Sequence, residues 1–353
     1  LPAKPHILTA PLDWGLGHAT RCIPIIRFLL EKGCRVSIGG SGAGWQLLQQ
    51  HFPQADAYEL PAYAVRYPHR NMYLNMARQL PHFWRTARRE RDWLARHHKR
   101  FDAVISDNRF GLFQSGLHCV YLTHQVQLPL PWLASPATAV HRRIIRRFHS
   151  CWIPDTAQSL LAGRLSRSGP LGATYVGPLS DLQVSPLRFP RFAFLCVLSG
   201  PEPMRSHLED RLYEELQSTG QSCVLIRGSS RPGRQRDHPL IKVIDLVDRK
   251  QLGQYIAASD LYVGRSGYST LMDLYRIRRP ALLIPTPGQY EQEYLATYHA
   301  ARGPFLVQRQ DEVDLAFAQK ELSHKDWPAE LMVPFNRLEH NLMPWLRRLQ
   351  QYY

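Results

Sequence analysis

A chain of 353 residues that is 44% hydrophobic exceeds the roughly 250–300 residues at which one core usually divides, so two domains are expected. No apolar run approaches the ~20 residues that span a bilayer and the start, LPAKPHILTAP, does not read as a secretion signal, which excludes a membrane-spanning chain and leaves a soluble or peripheral one. The formal charge of +15, from 44 Lys and Arg against 29 Asp and Glu, implies attraction to something anionic, whether nucleic acid, membrane lipid or a phosphorylated substrate.

The first half opens with HILTAP (6–11), a glycine-containing turn, an amphipathic segment through Lys32 and CRVSIGG (34–40), the pattern of a βαβ start. A long helical stretch from about Asn71 to Lys99 follows, interrupted at Pro81. Then come DAVISD (102–107), CVYLTHQ (119–125), a basic helix near 138–149 and CWIPD (151–155). Strands alternating with helices predict a parallel sheet covered on both faces. Much of the positive charge is local, in Arg85, Arg88, Arg89, Arg91, Arg96, Lys99 and Arg100, then in Arg142, Arg143, Arg146 and Arg147. For the first stretch, a solvated helix face is as good a reading as a binding one.

From Tyr175 the chain reads YVGPLSDLQVSPLRFPRF, with four prolines and no sustained period, which sets a linker near 178–190. A second α/β series has strands at 192–200, 222–228, 241–247, 261–267 and 281–287, and helices near 204–218, 250–259, 269–277 and 290–301. In 333–352, Phe335, Leu338, Leu342, Trp345, Leu346 and Leu349 recur at helical spacing. The scheme is an N-terminal domain over 1–180, a C-terminal domain over 191–332, and a last helix in 333–353 that packs its apolar face on a domain. The six cysteines, at 22, 34, 119, 151, 196 and 223, make no C-x-x-C pair, so neither zinc nor a disulfide framework is suggested and a reducing cytoplasm fits best.

Three segments carry chemistry. In DWGLGHATRCIPIIRFLLEKG (13–33), Gly15 and Gly17 let backbone approach a ligand at a helix start that suits an anion, and His18 is fixed inside the turn, where imidazole can accept a proton near neutral pH. A glycine turn that merely packs strand on helix is the rival reading. In GRSGYSTLMDLYRIRRPALLIPTPGQYEQEYLA (264–296), Arg265, Ser266, Gly267, Tyr268, Ser269 and Thr270 form a strand-to-helix turn whose amides and hydroxyls suit phosphate oxygens. Asp273 lies within reach of a ribose, and Gln292 with Glu293 offers an amide and a carboxylate to sugar hydroxyls. The third segment pairs SDNRFGLF (106–113) with YLTHQVQLPLPWL (121–133), at strand ends where open α/β sheets collect ligands. Asp107, Asn108, Arg109, His124 and Gln125 are its acceptor-side candidates, with Asp107 a partner for His18; turn capping explains the same residues equally well.

The segments DWGLGH, YVGPLS, GRSGYSTLMDL and IPTPGQYEQEYLA resemble those of two-domain GT-B glycosyltransferases, and among them the MurG-like branch, family 28. The resemblance spans 6–303 as architecture and about fifty residues as close motif. It implies two Rossmann-like doubly wound domains facing each other across a cleft, a nucleoside diphosphate sugar donor, a UDP-sugar, on the second domain and an acceptor on the first. It implies His18 near the reacting centre, 266–270 at the donor phosphates, Asp273 at the ribose, Gln292 and Glu293 at the donor sugar, and Leu246 and Val247 beside the base. Inversion at the anomeric carbon and a lipid-linked acceptor follow from the same likeness; the sequence shows no metal cluster, so no metal or cofactor is expected, and a place at the inner face of the cell membrane rests on the basic apolar segment 128–149.

Two departures stand out. The turn that is glycine-rich in the family reads SGPEPMRS (199–206), bringing Glu202 near a phosphate position, and Glu293 replaces the second glutamine of a pair, which points to a different donor sugar. A nucleotide-sugar 2-epimerase of similar build remains a rival, although it needs more acid and base groups around the sugar than His18 alone. A basic nucleic-acid-binding protein is a second rival, without a recognisable nucleic-acid motif. Residues 128–149, combining LPLPWLA, Ile144, Ile145 and Phe148 with four arginines, read either as an anionic-membrane patch or as core with a solvated edge.

Overall fold

The computed structural model describes residues 4–64, 72–128, 134–167, 172–184, 191–200, 202–229 and 233–351. The chain divides into two compact α/β units. One draws on Leu1–Arg66, Tyr73–Ser180 and Val333–Tyr353, and Asp181–Met332 makes up the body of the other.

The first unit begins with β1 (His6–Pro11), α1 (Leu16–Glu31), β2 (Arg35–Gly40), α2 (Gly42–His51), β3 (Asp56–Glu59) and α3 (Met72–His97). It continues with β4 (Ala103–Asp107), β5 (His118–Leu122), α4 (Ala134–Ile145), β6 (Ser150–Ile153) and the short β7 (Thr174–Tyr175). The seven strands pair in the order β3-β2-β1-β4-β5-β6-β7, all in parallel. Strands such as VISD and CVYL are buried on both sheet faces, which is why they read as apolar runs without alternation. Their register sets Pro11 of β1 opposite Asp107 of β4.

The second unit contains β8 (Phe192–Val197), α5 (Met204–Thr219), β9 (Cys223–Ile226), β10 (Ile241–Ile244), α6 (Arg249–Ala257) and β11 (Ser259–Gly264). There follow α7 (Tyr268–Ile277), β12 (Ala281–Leu283), α8 (Tyr290–Ala300), β13 (Phe305–Val307) and α9 (Leu315–Leu322). Its strand order is β10-β9-β8-β11-β12-β13, again all parallel. Both sheets therefore grow outward from their first strand in two directions. The topological switch points, where open α/β sheets bind ligands beyond their strand C-termini, lie between β1 and β4 and between β8 and β11.

The last helix, α10 (Leu338–Gln351), belongs to the first unit. Leu342, Trp345, Leu346 and Leu349 form its buried stripe, and the Trp345 ring meets Trp152 of β6 edge-on at 4.9 Å. Glu339 at its start pairs with Lys32 at the end of α1.

Three expectations change. The α3 helix runs on through Pro81 rather than breaking there, because Pro81 lies on its exposed side. Ile144, Ile145 and Phe148 are buried in the first unit's core among Val104, Tyr121 and Ile153, so they offer nothing to a membrane; most of LPLPWLA, at 129–133, lies outside the described residues. The sequence reading also passed over α2, β3, β13 and α9. All six cysteines are free and buried. Among the described residues no helix is long and apolar enough to cross a membrane.

Candidate active site

In the first unit the site grows from the β1–α1 connection. Gly15, the residue before α1, has φ 74° and ψ −179°, a backbone region that only glycine occupies without strain. That turn starts the helix at Leu16 and sets His18 on its first turn. The His18 ring is 15% exposed, and its Nδ1 lies 3.1 Å from Oδ2 of the wholly buried Asp107 at the end of β4. Both groups sit at the β1/β4 switch point.

Arg21, one helical turn beyond His18 and itself buried, organises the cluster. Its Nε donates to Asp107 Oδ2 at 2.7 Å, its Nη2 to Oδ1 of the same carboxylate, and its Nη1 to His124 Nδ1 at 3.0 Å. Burial alone would push the Asp107 carboxyl up, but Arg21 and then His18, with the hydrogen bonds from both, hold it well below the usual carboxylate range. Arg21 Nη2 also lies 2.9 Å from His18 Nδ1. That nitrogen cannot accept from arginine while donating to the carboxylate. The charge-assisted bond to ionised Asp107 is the stronger, so it favours a proton on Nδ1 and leaves Nε2 to accept one.

The other first-unit candidates separate. Asn108 adopts a left-handed conformation, φ 56°, in the turn after β4. Gln125 is bonded within its own loop, its backbone N–H donating to Thr123 Oγ1 at 3.1 Å. Arg109 is a correction. It is 0% exposed and donates to Pro11 O, Pro61 O, Glu90 Oε1 at 2.6 Å and Ser41 Oγ, so it is a strut tying three loops to α3 and not an acceptor contact. Asp13, at the start of the 13–33 segment, receives the N–H groups of Tyr63 and Ala64.

In the second unit the β11–α7 turn stands at the β8/β11 switch point. Arg265 is buried, and its guanidinium holds Ile284 O, Pro285 O, Met204 O and Gln310 Oε1. Burial draws its pKa down to about 9, which leaves it charged at neutral pH. Ser266 Oγ donates to Gln292 O at 2.8 Å, Thr270 bonds the Tyr262 hydroxyl, and Tyr268 is buried. These side chains build the turn. Gly267, the residue before α7, has φ −68° and ψ 148°, and a Cβ there would meet nothing within 4 Å among the described residues. Ser269 is half-buried on the first turn.

Gln292 and Glu293 are likewise used locally. Gln292 Oε1 accepts from Thr286 N at 2.8 Å and Glu293 Oε1 from Gly288 N at 2.7 Å, so the pair shapes the 286–288 loop. Asp273 is gripped at both oxygens by Arg249, at 2.6 and 2.8 Å, and Arg249 Nε also reaches Asp181 at 3.0 Å. Burial would lower the Arg249 pKa, but Asp273 and then Asp181 raise it. Leu246 is exposed after β10, and Val247 beside it is half-buried. Glu202 caps α5, accepting from Arg205 Nε at 2.6 Å and Ser206 Oγ at 2.7 Å. Among the described residues no group of three His, Cys, Asp or Glu is placed to hold a metal ion.

The structure thus gathers His18, Asp107 and His124 through Arg21, and links Asp273 to Arg249. The sequence reading missed both arginines. Arg21 was detectable at i+3 from His18, immediately before the mostly apolar run CIPIIRFLL (22–30), since a buried guanidinium requires an acidic partner.

Residues 206–326 match the model of the glycosyltransferase family 28 C-terminal domain. A UDP-N-acetylglucosamine–N-acetylmuramyl-(pentapeptide) pyrophosphoryl-undecaprenol N-acetylglucosamine transferase of Methylobacterium radiotolerans is 49% identical over 47 residues, which is 13% of each chain. The glycotransferase of kitacinnamycin superposes over 99% of this chain and 96% of its own with a TM-score of 0.68 at 15% identity. Arabidopsis thaliana UGT89C1 complexed with UDP-L-rhamnose gives 0.66 at 13% identity over 99% and 100%. Acinetobacter baumannii MurG gives 0.56 at 11% identity over 99% and 100%. With the family 28 C-terminal domain in its second unit and two parallel-sheet units, the chain has the two-domain fold of the glycosyltransferases it superposes on, and its likeness to the MurG-like branch is confined to that domain and a 47-residue match.

Proposed function

We propose that the protein transfers a glycosyl group from a UDP-sugar held on the second unit to a hydroxyl of an acceptor held on the first, with inversion and without a metal ion. The observation that carries this is the His18–Asp107 pair at the β1/β4 switch point. Asp107, kept ionised by Arg21, retains the Nδ1 proton, so Nε2 can take the acceptor's hydroxyl proton as its oxygen attacks the anomeric carbon. The bond from that carbon to the diphosphate breaks and the leaving oxygen keeps the electron pair. The α7 start would offset the growing charge with its backbone amides and helix dipole, beside a glycine that lets phosphate come close. A nucleotide donor is supported by the family domain and by the UDP-L-rhamnose complex of the Arabidopsis relative.

A lipid-linked acceptor, and with it a site at an anionic membrane surface, is supported by the likeness to the undecaprenol-linked substrate's enzyme and by α3. There Leu80 is 50% and Trp84 52% exposed, one helical turn apart, and Arg85, Arg88 and Arg89 beside them all face solvent.

A thermal-shift titration with uridine, thymidine and guanosine diphosphates tests the donor assignment. At about a hundred times its dissociation constant a bound nucleotide adds roughly 2.7 kcal/mol, and UDP is expected to give the largest shift. No shift with any of the three would remove the donor reading.

A further inference from the structure

In the donor reading Asp273 is the ribose contact, yet its carboxylate is already held. Arg249 Nη1 donates to Oδ2 at 2.6 Å and Nη2 to Oδ1 at 2.8 Å. A fork of this kind fixes the plane of a carboxylate, which a lysine cannot do. Arg249 is fixed in turn. It is the first residue of α6, whose start is locked by a reciprocal capping box between Asp248 and Gln251, and its Nε is anchored on Asp181 at 3.0 Å. The Arg249 side chain is 15% exposed and that of Asp273 17%, so the pair is mostly buried but keeps an edge open to a ligand.

The chemistry of such a pair differs from that of a lone aspartate. Each carboxylate oxygen accepts more than one donor, so the fork is compatible with further hydrogen bonds. A vicinal diol presents two O–H donors at fixed spacing and gains from a carboxylate whose rotation is already arrested. The guanidinium also offsets a negative charge that would otherwise repel an incoming diphosphate. Building on the donor reading, we propose that Arg249 is a positioning residue that holds Asp273 for the 2′,3′-diol of a ribose, and that the protein thereby selects ribonucleoside over 2′-deoxyribonucleoside diphosphate sugars. Thymidine diphosphate sugars, which lack the 2′-hydroxyl, are poor donors for it on this basis.

Calorimetric titration of the full chain with UDP and with 2′-deoxy-UDP tests this in the wild type, Arg249→Met and Arg249→Lys. The wild type should bind UDP about tenfold or more tightly than the deoxy form, because a site built to bond a hydroxyl rejects the analogue without it. In Arg249→Met, UDP should lose about that factor while 2′-deoxy-UDP stays within about twofold, so the ratio falls toward one. Arg249→Lys, which keeps the charge but loses the fork, should lower the ratio as well and serves if the methionine variant does not fold. A purely structural role would weaken both ligands together and leave the ratio unchanged, and that result overturns the proposal. Tighter UDP binding by Arg249→Met also overturns it, since the ion pair would then be an obstacle. A wild type that binds both nucleotides equally removes the proposal but spares the donor reading, and one that binds neither removes both.

Discussion

Asp107 serves two residues at once, and its loss should be felt more through Arg21 than through His18. In Asp107→Asn the Arg21 guanidinium stays buried without its counter-charge, a situation that costs about 3–5 kcal/mol. The pH dependence follows from the lowered Asp107 pKa. A carboxyl depressed in the folded state binds fewer protons there than in the unfolded chain, whose aspartates titrate near ~4. Its contribution is therefore complete above about pH 4 and is lost as the pH falls toward the folded value. The melting-temperature gap between wild type and Asp107→Asn should be widest between about pH 6 and 8 and should close progressively below about pH 4. A gap that is flat with pH would mean the carboxylate contributes no charge stabilisation. His18→Ala, by contrast, should keep the wild-type melting temperature and lose about 10²–10⁴ in kcat. The His18–Asp107 pairing was visible from two strand-end motifs, whereas Arg21 and Arg249 were not, because their roles depend on partners 86 and 24 residues away in sequence.

At the scale of elements, the strands of both sheets were readable because burial on two faces leaves continuous apolar runs such as FLCV and ALL. The strand β3 escaped because DAYE is an edge strand that is mostly exposed and carries no such run. Residues 128–149 read as a membrane surface because Ile144, Ile145 and Phe148 alternate there with arginines, but helical period in the last turn of α4 carries Ile144 and Ile145 inward and the bend after it buries Phe148 with them. The same period on α3 does the reverse, leaving Leu80 and Trp84 outward beside Arg85, Arg88 and Arg89. If this face meets lipid, the wild type should sediment with vesicles containing phosphatidylserine and be released as salt rises, each arginine contributing about 1 kcal/mol. Replacing Leu80 and Trp84 with glutamate, or the three arginines with serine, should return the protein to the supernatant. Equal recovery on neutral and anionic vesicles would sink the membrane assignment.

At the scale of the whole chain, the path matters as much as the two sheets. After forming Asp181–Met332 the chain returns at Val333, and α10 completes the first unit. Its stripe of Leu342, Trp345, Leu346 and Leu349 is buried, with Trp345 on Trp152 at 4.9 Å and on His118 at 5.8 Å. Four such side chains, at about 1.5–3 kcal/mol each, amount to roughly 6–12 kcal/mol, comparable to the whole stability of a typical domain. His18, near the start of the chain, thus depends on a helix close to its far end. A chain truncated before Leu338 exposes Trp152 of β6 and should lose the first unit. Hydrogen exchange followed by peptide should then report protection collapsing in β4, β5 and β6, while β8 and β11 of the second unit keep theirs. UDP should still slow exchange at the start of α7 in the truncated protein, since the turn proposed to hold the donor lies within Asp181–Met332. Undiminished protection of β5 and β6 after truncation would show that α10 only covers a core that the sheet and its other helices already hold.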